Sequence, residues 1–147
     1  MNIIVKNIFA IILGIIVGSA VNMLIIQIGT SIIPPPEGFD MTSTEVLASS
    51  IQLYEPQHFL FPFLAHALGT FAGAIIAAVV AATHRFKIAL SIGLLFLIGG
   101  FYMVLILPSP IWFSVLDLFV AYLPMAYFAG KIMDTRSGNA NSYGPVL

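Results

Sequence analysis

Residues 59–83 read FLFPFLAHALGTFAGAIIAAVVAAT, a run of 25 residues without Lys, Arg, Asp or Glu. A hydrocarbon core of about 30 Å needs roughly 20 apolar helical residues at about 1.5 Å each, so this stretch is long enough and apolar enough to cross a bilayer. Its second property is periodic. Ala65, Gly69, Gly73, Ala77 and Ala81 recur every fourth position, with Thr70, Ala74, Ala78 and Ala82 one step round the helix. Lipid gives helices no hydrophobic reason to associate, and rows of small residues let backbones approach closely enough for packing to hold them together.

Working outward, three more segments have spanning length: about 3–28, about 88–107 and about 111–132. Ala10, Gly14 and Gly18 give the first of them a small-residue row of its own. Gly14, Gly18, Gly69, Gly73 and Ala77 are therefore the expected helix-packing positions, within one chain or between copies. The whole composition agrees with a membrane protein. Of the 147 residues 7% are charged and 60% apolar, against about 25% charged in a soluble domain. The expected fold is an all-α membrane protein, one bundle of four transmembrane helices over residues 1–133 with a short amphipathic helix in its single long loop.

Lys6 lies near the start of the first span, Arg85 and Lys87 between the second and third, and Lys131 and Arg136 at and beyond the end of the fourth. The long loop, residues 30–58, carries Glu37, Asp40, Glu45 and Glu55 with no Lys or Arg. By the positive-inside rule both termini are expected to be cytoplasmic and the long loop extracytoplasmic. Lys6, an apolar run and Gly18-Ser19-Ala20 imitate a signal peptide, but the apolar run continues through Met23-Leu24-Ile25-Ile26, and an uncleaved span is expected.

Within the loop, Pro34-Pro35-Pro36 stops a helix, and Thr42-Ser43-Thr44-Glu45 fits a capping box with Thr42 as the N-cap. The tail 134–147, rich in Ser, Gly and Asn, reads as a disordered end. Pro124 interrupts the fourth span and predicts a kink there.

The polar residues inside the spans are few. Counted from the loop end of each helix, Asp117, His66, Asn22 and Tyr102 fall at nearly one depth, roughly 9 to 11 Å for the first two at about 1.5 Å per residue. An ionised Asp there should face the bundle and find a partner, and His66 is the obvious one. These four are the candidate ligand or proton site. The alternative is a hydrogen-bonded clasp that fixes which helices meet.

Other chemistries are excluded by residue type. The absence of Cys removes thiolate nucleophiles and thiolate metal sites, and no phosphate loop, paired zinc histidines or nucleophile elbow is present. No catalytic residue, metal or cofactor is expected. Five scattered cations give no nucleic-acid stripe. The partners expected are lipids and a second copy or another membrane protein. Two function classes follow: a non-enzymatic membrane component that assembles with itself or a partner, or a small oligomeric transporter for a solute or proton.

The motifs Pro34-Pro35-Pro36-x-Gly38-x-Asp40, Leu68-Gly69-x-x-Ala72-Gly73 and Pro108-x-Pro110-x-Trp112-Phe113 together resemble a family of small bacterial four-span inner-membrane proteins. The resemblance covers most of the chain and implies the four-span fold but no particular activity. In that family a His often stands between the two prolines. Here the position is Ser109, so the turn offers no such ligand.

Overall fold

The structure, a computed structural model, describes residues 2–36 and 43–142. Helix α1 runs over Ile3–Ile32, α2 over Thr44–Ser50, α3 over Leu60–Val80, α4 over Arg85–Ile106, α5 over Ile111–Val120 and α6 over Leu123–Ser142. Short 3-10 turns at Ile51–Leu53 and Pro56–Phe59 lead from α2 into α3. Four segments, Ile3–Ile32, Pro56–Val80, Arg85–Ile106 and Ile111–Thr135, are long and apolar enough to cross a membrane. The chain is a multi-pass, all-α membrane protein built as a four-helix bundle. Below, the end bearing the long connection is the loop end, and the other is the terminal end.

Helix α3 is the hub, packed against α1, α4 and α6. Its small residues explain why. Ala65, Gly69, Thr70, Gly73, Ala74, Ala77 and Ala78 are all buried, whereas α1 buries only the row Ala10, Gly14, Gly18 and Gly29. Gly14 and Gly18 of α1 lie directly on Gly73 and Gly69 of α3. A Cβ built on Gly73 would stand 2.6 Å from the carbonyl oxygen of Gly14, and one on Gly69 would stand 2.8 Å from that of Gly18. Side chains at these points would push backbone from backbone, so the glycines set the helix separation.

At the terminal end the α3–α4 turn is held by a residue the sequence reading passed over. The Asn7 side chain accepts from the backbone N–H of Ala82 at 2.9 Å and donates to Thr83 Oγ1 at 3.1 Å. The first bond satisfies the backbone N–H of Ala82, just past the C-terminus of α3, and the second ties α1 to a side chain of the turn. His84 then turns the chain in a left-handed conformation, φ 54°, before α4 begins.

Three expectations change in detail. First, α1 extends four residues beyond Ile28 to Ile32, where Ile33 donates its N–H to Gly29 and the prolines follow. Its 30 residues give about 45 Å of helix, more than the bilayer core requires. Second, the loop helix is capped by Ser43, whose Oγ accepts from Val46 N–H at 3.5 Å. That shifts the frame by one residue from the expected Thr42 cap and puts Glu45 a position too early for the reciprocal bond of a capping box. Thr42, like Gly38 and Asp40 of the loop motif, lies outside the described residues. Third, α6 continues past the expected end of the fourth span at Ile132 as far as Ser142.

The break in the fourth span is larger than a kink. Helix α5 stops at Val120, Ala121 and Tyr122 form a turn, and α6 restarts at Leu123 with Pro124 as its second residue. Proline is tolerated there because the N–H it lacks falls in the first turn of a new helix, where no partner would exist.

Candidate functional site

Asp117 sits on the last turn of α5 and His66 on the second turn of α3, and the bundle brings them face to face. His66 Nδ1 lies 2.9 Å from both Asp117 oxygens. Asp117 is 3% exposed, so its carboxylate depends on these contacts in place of water. A second donor completes it. Tyr122 Oη donates to Asp117 Oδ2 at 3.0 Å, and its ring stacks on His66 with centroids 5.7 Å apart at 27°.

Tyr122 was not among the expected site residues. In one continuous helix it would follow Asp117 by about 500° of rotation, on a different face. The break at Ala121 and Tyr122 folds the side chain back toward the carboxylate. Space for it comes from Gly100 of α4, where an added Cβ would run into the Tyr122 hydroxyl. Pro124 and Gly100 were the signals in the sequence, and reading them together with Asp117 would have found this residue.

The remaining two expected members do not join. Tyr102 is 61% exposed and points away from the bundle. Asn22 is half-buried, one turn beyond Gly18, with its Cβ 3.0 Å from where a Gly69 side chain would begin. Among the described residues no hydrogen bond links either of them to His66 or Asp117. Of the four groups at a common depth, the structure brings His66 and Asp117 together and leaves Tyr102 and Asn22 apart from them.

His66 also lines a cavity of about 350 Å³ at the loop end. The walls come from the ends of α1 and α4 (Ile26, Ile33, Met103), the start of α3 (Phe61) and α2 with its following turn (Leu47, Ile51). Gly29 is what admits Phe61: an added Cβ would meet the Phe61 side chain. Phe59 anchors the start of α3 by packing on Phe113 at 4.7 Å and Trp112 at 5.5 Å between centroids. The loop is tied down from the other side, where Gln52 Nε2 donates to the Pro108 carbonyl.

Tyr54 and His58 complete the loop side of the wall, their rings 5.4 Å apart. Burial pushes the Tyr54 phenol above its ordinary value, with a hydrogen bond to Ser50 offsetting part of the effect. It is therefore uncharged near neutral pH. His58 Nδ1 faces the Glu55 carbonyl oxygen at 3.2 Å.

Beyond His66 the interior closes. Thr70, one turn further along α3, is fully buried and its hydroxyl has no hydrogen-bond partner among the described residues. Past it, Ala74, Ala77, Ala78, Ile92, Ala126 and Ala129 all have zero exposure. The geometry provides an oriented imidazole at the floor of an apolar chamber that is sealed from the terminal end. Among the described residues, no group of three or more His, Asp or Glu side chains could hold a metal ion. No protein-family model matches the chain, and neither a curated protein nor a solved structure matches it.

Proposed function

We propose that this membrane protein is a non-enzymatic component that binds a small molecule in the cavity at its loop end, with His66 as the polar anchor. One observation carries the reading: the imidazole that lines the roughly 350 Å³ chamber is the one whose Nδ1 is fixed by Asp117. Ligand sites are typically concave, mostly apolar chambers of about 300–1,000 Å³ with a few placed polar groups. A carboxylate that holds one imidazole nitrogen orients the other. Lys6, Arg85, Lys87 and Lys131 at the far end support an extracytoplasmic position for the chamber.

Binding is favoured over conduction by the zero-exposure layer beyond Thr70, which offers a solute no path through this conformation. Assembly through the glycine faces is disfavoured for a simple reason: Gly14, Gly18, Gly69 and Gly73 are already engaged within the chain.

Native mass spectrometry of the protein, extracted with its surrounding bilayer, tests the reading. Wild type is expected to retain a small molecule that Met103→Trp, which fills the chamber from α4, loses while remaining folded. Identical spectra for the two proteins, or no retained molecule in wild type, would overturn it.

A further inference from the structure

We infer that the ligand is an uncharged lipid with a hydroxyl head, taken from the bilayer and held by donation of that hydroxyl to Nε2 of His66. This rests on the binding reading above and adds the chemical class.

The argument starts from a proton. An ionised carboxylate can only accept hydrogen bonds, so the His66 nitrogen facing both Asp117 oxygens at 2.9 Å is the one that carries hydrogen. In the uncharged imidazole the remaining nitrogen, Nε2, is then a lone-pair acceptor. The complementary ligand group is a donor.

Charge narrows the class. Among the described residues, none that lines the chamber is Lys, Arg, Asp or Glu, so a phosphate, carboxylate or ammonium head would meet no counter-ion from them and would lose its hydration. A hydroxyl satisfies the donor requirement without that cost. Size sets the portion enclosed: at about 30 Å³ per water-sized unit, about 350 Å³ holds roughly a dozen non-hydrogen atoms. That is a head and the first part of a chain. The rest can lie along α4, where Met103 is 44% exposed and its neighbour Tyr102 61% exposed, at the bundle's lipid-facing surface.

The full chain in phosphatidylcholine nanodiscs is photolabelled with three matched diazirine probes: a long-chain alcohol, a methyl ketone and a carboxylate. The labelled residues are then read by mass spectrometry. In wild type the alcohol should label cavity residues such as Ile26, Phe61 and Met103 about fivefold more than either other probe, the ratio that one net hydrogen bond supplies. Asp117→Asn should invert the order of alcohol and ketone. Tyr122 donates to one oxygen of the carboxylate, so the Asn oxygen stays with Tyr122 and its NH₂ turns to His66. That NH₂ takes the Nδ1 lone pair and moves the imidazole proton to Nε2. The double variant His66→Leu/Asp117→Leu removes both groups and should bring alcohol and ketone to parity.

Ketone labelling equal to or above alcohol in wild type would overturn the hydroxyl assignment. So would an alcohol preference that survives the double variant. Either result, with cavity labelling still abolished by Met103→Trp, leaves the binding reading standing. Labelling that ignores Met103→Trp would sink both.

Discussion

Helices α1 and α3 meet twice, and the two meetings differ by one aromatic ring. Toward the terminal end Gly14 and Gly18 lie on Gly73 and Gly69, backbone against backbone. At the loop end Gly29 lies on the Phe61 side chain. In the first case the helices come as close as their main chains allow, and Ala74, Ala77, Ala78 and Ile92 in the core beside them have zero exposure. In the second a ring stands between them and a chamber of about 350 Å³ opens beside it. A glycine on a helix face therefore does not by itself imply a sealed interface. The residue opposite decides whether it admits a backbone or a side chain, and here that choice divides a closed half of the bundle from an open one.

The sharpest way to break this comparison is to put a side chain into the glycine seam. Gly73→Leu places a Cβ 2.6 Å from the Gly14 carbonyl, with the Gly18 Cα at 3.2 Å, and main chain cannot rotate aside as a side chain can. We expect about 3 kcal/mol of destabilisation, the upper end of ordinary overpacking. The check is reversible unfolding in mixed micelles followed by the fluorescence of the single Trp, Trp112. An unchanged midpoint would mean that the seam does not set the fold.

A smaller effect is expected from the open half. Asp117→Ala leaves the His66 Nδ1–H and the Tyr122 hydroxyl without their acceptor, and should cost about 1–3 kcal/mol. Interhelical hydrogen bonds in membranes average about 0.6 kcal/mol and reach about 1.7, so the lower part of that range is the better expectation. A loss larger than that of Gly73→Leu would reverse the ranking of the two halves. It would make the polar cluster, and not the glycine seam, the main determinant of stability.

How much of this was legible beforehand follows from what periodicity measures. Hydropathy located four spans because crossing a bilayer is a demand on length and composition alone. Depth counting found His66 and Asp117. It failed for Tyr102 because depth says nothing about the side of a helix: α4 buries Ala89 and Gly93 and seats Tyr122 at Gly100, and Tyr102 lies about 200° round from Gly100. Tyr122 is missed by a uniform helix: a constant turn angle carried from Asp117 puts it on the wrong face, and only the break near Ala121, which Pro124 signals, corrects the phase. The chamber could not have been read at all, since it depends on Gly29 and Phe61 meeting from helices about 30 residues apart in sequence.

The smallest expected effect separates two neighbouring glycines that the sequence treats alike. At Gly99 an added Cβ would meet nothing within 4 Å, whereas at Gly100 it would meet the Tyr122 hydroxyl and ring. Gly99→Ala should therefore stabilise the protein by about 0.5–1 kcal/mol, the difference in helix propensity between the two residues. The same change at Gly100 must displace Tyr122 from Asp117, and its gain in propensity is offset by the loss of that hydrogen bond and the misplaced ring. The sign of the difference is the useful quantity, and the same unfolding assay reads it. Equal stabilisation at both sites would mean that Tyr122 does not occupy the notch at Gly100, and the Asp117 site would lose the donor that the helix break delivers to it.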